Sequence, residues 1–269
     1  MRHRLPIGVA CFVAAVLVLG CGKEPDKDQD KDKDKDKTTF TSPGGKKYAV
    51  HVEEFDAPHD ETEKEGTGAA AASDDDYVGK DRKAAKLSIA DAKIVPFDDL
   101  ADLLESLTSD EDMKKLVKAG TITTAPTSDR VKEEKRNVRV RAWLYAASRE
   151  KDHDFHLILG REPGKTPKKF MTAEVSGLPA LGADFRAELK VPRDAFKTFF
   201  TTSTNGSLPG TGYSFYSPPI PVLVEGSLFY DATHAFGPGP RPGPASLRPD
   251  MPTIWEIHPI SKIVFEPSP

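Results

Sequence analysis

Asn137-Val138-Arg139-Val140-Arg141-Ala142-Trp143-Leu144-Tyr145-Ala146 changes side-chain character at every step. Val138, Val140, Ala142, Leu144 and Ala146 face one way, and Arg139, Arg141, Trp143 and Tyr145 the other, a period of two that only an extended chain sorts onto opposite faces. This is a half-buried strand. Downstream, Asp154-Phe155-His156-Leu157-Ile158-Leu159 reads as a second strand that ends at the turn-rich Gly160-Arg161-Glu162-Pro163-Gly164, and Phe170-Met171-Thr172-Ala173-Glu174-Val175 as a third. A helix then starts with Pro192 in its first turn and presents Phe196, Phe199 and Phe200 on one side. After a Gly/Ser/Pro loop, Ile220 to Asp231 forms a fourth strand with Gly226 at a bulge or corner, and Ile254 to Phe265 a fifth.

The order strand, strand, strand, helix, strand, strand is that of the OB fold, a five-stranded, partly open barrel. A β-sandwich would need more strands and a doubly wound sheet more helices. The expected fold class is therefore mainly β with an α elaboration: an OB-like barrel over 130–266, preceded by short helices within 86–125. Leu100, Leu103, Leu104 and Leu107 share one helical face behind Asp98 and Asp99. Ser109 with Asp112 resembles a capping box, Met113, Leu116 and Val117 supply an apolar face, and Gly120 suits the position after a helix end.

The rest of the chain has little to bury. Residues 26–37 hold six Asp and five Lys in near-perfect alternation, and Gly66 to Ser73 is small and low in complexity. Tyr48, Val50 and Val52 alternate and could form one short strand; otherwise 21–85 is expected to be a disordered tether to a globular domain at 86–269. The first 20 residues have a basic start, Arg2 to Arg4, and a short apolar run, Ile7 to Leu19, as in an export signal. Leu17-Val18-Leu19-Gly20-Cys21 resembles the lipobox of bacterial lipoproteins. That resemblance implies cleavage after Gly20 and acylation of Cys21 by palmitate or a similar chain, hence a lipid-anchored protein of the bacterial cell envelope. Gly22 rather than Asp after Cys21 resembles the pattern of outer-membrane rather than inner-membrane sorting.

Composition excludes several classes. No stretch approaches the roughly 20 apolar residues of a membrane span, and the only cysteines are Cys11 and Cys21, which excludes a disulfide scaffold. Cleavage removes two arginines and no acid, so a net charge of −4 becomes −6, which disfavours nucleic acid as a partner.

Four strings carry a further resemblance: Asp152-His153-Asp154-Phe155-His156-Leu157-Ile158-Leu159, Glu174-Val175-Ser176-Gly177-Leu178-Pro179, Pro221-Val222-Leu223-Val224-Glu225-Gly226-Ser227-Leu228-Phe229-Tyr230-Asp231 with His234, and Trp255-Glu256-Ile257-His258-Pro259. Together they resemble an uncharacterised family of exported bacterial proteins over roughly 130–266. The resemblance implies a domain and brings no activity with it.

Four of the seven His lie in those strings, each near acids. Alternation puts Asp154 and His156 on one face, and likewise Glu256 and His258; a hairpin centred near Lys165 sets His156 opposite Glu174. Asp231 and His234 form a third pair. Imidazole with carboxylate suits a divalent metal, metal-assisted hydrolysis or general acid/base chemistry. It equally suits a structural hydrogen-bonded network. No tight metal signature, Gly-rich phosphate loop or nucleophile elbow accompanies the cluster, so no cofactor is required. The outward face Arg139, Arg141, Trp143 and Tyr145 interleaves cations with aromatic rings, as in OB-fold surfaces that bind oligomers, or covers the barrel beneath the helices. Gly237 to Pro252, with six Pro, is expected to be an extended loop near it. The reading is a lipid-anchored binding or interaction module for an envelope protein or glycan, with a metal-dependent hydrolase as the alternative.

Overall fold

The computed structural model describes residues 38–54, 73–236 and 242–268. The export signal, Cys21, the Asp/Lys run, most of the small-residue segment and the start of the Pro-rich loop lie outside them. Eight strands and five short to medium α-helices follow in the order β1 Thr38–Thr41, β2 Lys47–Glu53, α1 Lys83–Lys86, β3 Ile94–Phe97, α2 Leu100–Glu105, α3 Asp110–Lys118, β4 Asn137–Arg149, β5 Phe155–Gly160, β6 Phe170–Val175, α4 Arg186–Thr202, β7 Tyr213–Tyr230, α5 Ala232–Phe236 and β8 Trp255–Phe265. Among the described residues no helix is long and apolar enough to cross a membrane.

All eight strands join one mixed sheet in the order β1-β2-β7-β8-β6-β5-β4-β3, and β7 also pairs with β4. The extra pairing turns β4, β5, β6, β8 and β7 into a partial ring. Its seams are antiparallel except between β6 and β8, which pair in parallel over Thr172↔Glu256 and Ala173↔Ile257 only. The main core fills the inside of this ring: Val138, Val140 and Leu144 of β4, Leu157 and Leu159 of β5, Ala173 and Val175 of β6, Val222 and Val224 of β7, and Ile257 and Ile260 of β8 share one buried cluster. Removing these side chains from water is the main stabilising term, at roughly 1.5 to 3 kcal/mol for each large one.

All five expected strands form, but their ends and phase differ. In β4 the register with both neighbours shifts between Leu144 and Ala146. Tyr145 is the extra residue, so Leu144 and Ala147 belong to the main core while Ala146 packs with Ile158, Phe170 and Tyr213 in a second cluster. Alternation read without a bulge puts Ala146 on the wrong face. β7 begins at Tyr213, seven residues before the expected strand, because Tyr213, Phe215 and Tyr216 are buried and Ala49 to Glu53 of β2 pair with Ser217 to Tyr213. Pro218 and Pro219 disguise this continuity. Gly226 sits at the expected irregularity, with register shifts on both sides. A Cβ there would come within 2.5 Å of the Pro259 carbonyl oxygen, so the close approach requires glycine.

α4 starts at Arg186 rather than Pro192, which lies inside the helix. The apolar stripe explains this, since Leu189 is buried on the same face as Phe196, Phe199 and Phe200 and extends it upstream of the proline. Asp99 and Ser109 cap α2 and α3 as expected, accepting from Ala101 N at 2.9 Å and Asp112 N at 3.2 Å. Two boundaries are corrected. The 86–125 region contains the edge strand β3, parallel to β4, as well as helices. The expected tether contributes β1 and β2, and Tyr77, Arg82 and Ala85 are buried. Phe40 and Tyr48 account for the docking of the β1–β2 hairpin: Phe40 lies 5.9 Å from Phe200 and 6.2 Å from Tyr216, ring centre to ring centre, and Tyr48 donates to Glu266 at 2.6 Å.

Candidate functional site

On the outer face of the ring, opposite Phe155, Leu157, Ala173, Val175 and Ile257, the intervening residues of β5, β6 and β8 point the other way. They are Asp154 just before β5, His156, Glu174, Glu256 and His258, none more than 3% exposed. Strand pairing assembles them. His156 stands opposite Glu174 in the β5–β6 register, as the hairpin centre at Lys165 requires. The short parallel seam brings β8 alongside β6 and delivers His258 to the other side of Glu174.

Glu174 is the hub. Its Oε1 lies 3.3 Å from His156 Nδ1 and its Oε2 2.5 Å from His258 Nδ1. His258 Nδ1 is also 3.6 Å from Glu256 Oε2, and its Nε2 is 3.5 Å from Asp154 Oδ2. Two residues outside the expected set complete the group. Glu150, just past β4, puts Oε1 2.7 Å from His156 Nδ1, and Lys86 of α1 puts Nζ 3.6 Å from Asp152 Oδ2. Two overlapping sets of metal-capable side chains result, Glu150–His156–Glu174 and Asp154–Glu174–His258.

The charge states follow from burial and neighbours. Burial raises Glu256 well above the ordinary carboxylate range, and the negative charges of Glu174 and Asp231 push it the same way, toward the neutral acid. Burial acts upward on Glu174 too, but His258 and Lys86 outweigh it and hold the group well below its usual range, as a carboxylate. For His156 burial opposes the charged form, yet Tyr213 and the Glu150 and Glu174 carboxylates win and raise it well above an ordinary imidazole. Asp231 is held at about 2 against its burial, chiefly by His234, which it contacts directly through Oδ2 and Nδ1. The Asp231–His234 pair is thus its own unit at the end of β7, joined to the cluster through the field it exerts on Glu256. His153 is turned away: it has φ 75° and its Nδ1 donates to the Asp76 carbonyl at 2.8 Å.

The strand-face candidates lie elsewhere. Arg139, Trp143 and Tyr145 are half-buried and Arg141 is exposed on the outer side of β4. Arg139 pairs with Glu225 at 2.8 Å, and Arg141 donates to the Ser268 carbonyl at 3.2 Å. Tyr145 donates to the Arg161 carbonyl at 3.0 Å and leads into a cleft of about 100 Å³ lined by Tyr145, Arg161, Glu162, Gly164, Lys165, Lys168, Lys169, Phe170 and Leu247. Leu247 comes from the Pro-rich loop, so that loop does reach this end of β4.

Neither the family models, the curated proteins nor the solved structures compared with the chain give a match. Of the residues missed in the sequence, Glu150 had a usable signal: it is an acid in the short connection between the first two strands, four residues before Asp154. Lys86 had none, since its contact with Asp152 joins parts of the chain more than sixty residues apart.

Proposed function

We propose that this chain is a lipoprotein of the bacterial cell envelope, anchored through Cys21, that displays an OB-like barrel as a binding module for an anionic envelope glycan. The fold part of this reading is supported by the pairing order. Counting β4, β5, β6, β7 and β8 as first to fifth, the ring runs first, second, third, fifth, fourth and back to first, with α4 between third and fourth. A fold hosts many functions, so the ligand is argued from the surface.

The observation that carries the ligand class is the cleft beyond Tyr145. Four cationic side chains, Arg161, Lys165, Lys168 and Lys169, surround two aromatic rings that meet edge to face at 4.9 Å. Aromatic faces suit sugar rings, and the cations suit carboxylate or sulfate groups. Asp99 and Glu105 already neutralise three of these cations in part. Lys168, like Lys165, is exposed, and it makes no ion pair among the described residues.

The hydrolase alternative needs a substrate to reach the His/acid cluster. With Asp154 and His258 at 0% and Glu174 at 3% exposure, the cluster offers no such access, and it takes second place. The test begins with fractionation: Cys21→Ala should move the protein from the membrane fraction to the soluble one. Titrating the soluble chain with an oligouronate should give saturable binding by calorimetry, whereas a neutral oligosaccharide should not. Lys168→Ala should weaken the response, and an unchanged response in that variant, or none in the parent, ends the glycan reading.

A further inference from the structure

Two carboxylate side chains, from the stretches of chain on either side of β5, converge on Nδ1 of His156. Glu150 Oε1, just past β4, is 2.7 Å away, and Glu174 Oε1 on β6 is 3.3 Å away. His156 is 3% exposed, yet neither of its ring nitrogens makes a hydrogen bond of acceptable geometry with the described residues. Nδ1 is close to two carboxylate oxygens but off the line that an N–H donor needs. A buried ring whose contacts are off-line ion pairs leaves its hydrogen-bonding capacity unfilled. A metal ion uses the same nitrogen and oxygens through their lone pairs.

The spacing suits such an ion. Zinc bound tetrahedrally at about 2.0–2.2 Å sets neighbouring ligand atoms about 3.3 Å apart. The His156–Glu174 separation already has this value, and the shorter His156–Glu150 separation opens by rotating Glu150, which lies outside the strand and is 14% exposed. That exposure also provides the entry route. One imidazole and two carboxylates, with no thiolate, suit zinc or manganese. His258 lies against the second oxygen of Glu174 and would orient it, as outer-shell partners of metal ligands do.

The overlapping set, Asp154–Glu174–His258, is a poorer site. Asp154 and His258 are 0% exposed, which leaves no entry, and Asp154 Oδ1 already accepts from Gly177 N. We propose that Glu150, His156 and Glu174 bind one divalent transition-metal cation, zinc in the first instance, as a clamp across the β4–β5–β6 meander. The proposal is independent of the glycan reading, because the cleft and the cluster share no residue.

The experiment uses the full-length chain without a polyhistidine tag, treated with chelator, dialysed, and titrated with zinc chloride by calorimetry and thermal melting. The parent should bind one equivalent and melt several degrees higher in saturating zinc. Glu150→Gln and His156→Gln should each bind at least about 10-fold more weakly, the scale of losing even an outer-shell partner. Glu150→Gln gives up a carboxylate 2.7 Å from the buried His156 Nδ1 and should melt below the parent without metal, yet with its side chain at the protein surface it should still fold, so its binding is read below its own melting temperature even if His156→Gln unfolds. Asp154→Asn should bind as the parent does. Absence of zinc binding in the parent overturns the proposal. So does parent-like binding by Glu150→Gln, which would place the ion on the second set or on Cys11 or Cys21.

Discussion

Two buried glutamates on neighbouring strands, Glu174 and Glu256, are shifted in opposite directions, and the difference comes from what each one faces. Glu174 meets an imidazole on each side with Lys86 nearby, whereas Glu256 meets the carboxylates of Glu174 and Asp231. Their amide variants should therefore diverge. Glu256→Gln puts a neutral isostere where burial and the facing carboxylates already favour the neutral acid, and should change the unfolding free energy at pH 7 by less than about 1 kcal/mol. Glu174→Gln removes the charge that faces His156 and His258 and should cost about 3 to 5 kcal/mol, the scale of breaking a buried ion pair. Urea unfolding in the presence of chelator measures both without any metal contribution; equal losses would mean that the two carboxyls share one charge state. The sequence already held the cross-strand meeting of His156 and Glu174, because a hairpin fixes its own register. The approach of His258 was not legible, since it depends on a parallel seam only two residue pairs long.

Helix α2 is tied to the loop after β5 by a single carboxylate. Asp99 caps the helix by accepting from Ala101 N and takes Arg161 Nε and Nη2 at 2.8 and 2.9 Å. The Arg161 hydrogen bonds, against burial and with help from Ala101, hold Asp99 well below the usual Asp range. A carboxyl lowered in the folded state contributes stability that is present above its unfolded value, about 3.9, and is lost as pH falls toward the folded value. Asp99→Asn should preserve the cap but lose the charged bridge, costing about 1 to 2 kcal/mol at pH 7 after allowing for partial exposure. The difference between parent and variant should shrink as pH drops from 4 toward 2; a difference that stays constant over that range would show that the bridge contributes through shape alone. At this scale the sequence was most legible where one local rule acted alone, as in the caps at Asp99 and Ser109 and the bulge at Gly226. It failed where packing overrode the local signal. The stripe from Leu189 to Phe200 carried α4 through Pro192, whose interior position costs about 3 kcal/mol. Aromatic burial likewise carried β7 back past Pro218 and Pro219, and β3, with Ile94 and Val95 exposed at the sheet edge, has no alternation that could announce it.

The molecule as a whole depends on residues whose average composition reads as tether. Phe40 and Tyr48 are 4% and 1% exposed against the α4 and β7 aromatics, and Ser42 and Tyr48 both donate to Glu266 just past β8. Arg82 lies fully buried, with Nη1 2.6 Å and Nη2 2.8 Å from the Glu134 carboxylate and its guanidinium 4.7 Å from the Phe229 ring centre. Both features precede Lys86, where composition alone would begin the domain. A chain starting at Lys86 leaves Glu134, at 0% exposure, without its guanidinium, at a cost of about 3 to 5 kcal/mol. It also uncovers the partners of two large aromatic side chains, at roughly 1.5 to 3 kcal/mol each. The combined loss, about 6 to 11 kcal/mol, is comparable to the whole stability of a typical domain, about 5 to 15 kcal/mol. Such a chain should lack a cooperative urea transition and the near-ultraviolet circular dichroism of fixed aromatic rings, whereas the full-length chain should show both. Phe40→Ala in the full-length chain isolates one part of this loss and should cost about 3 to 5 kcal/mol within a single transition. A chain from Lys86 that unfolds cooperatively at the parent midpoint would instead make the hairpin and the Arg82 segment attachments to an independently stable ring.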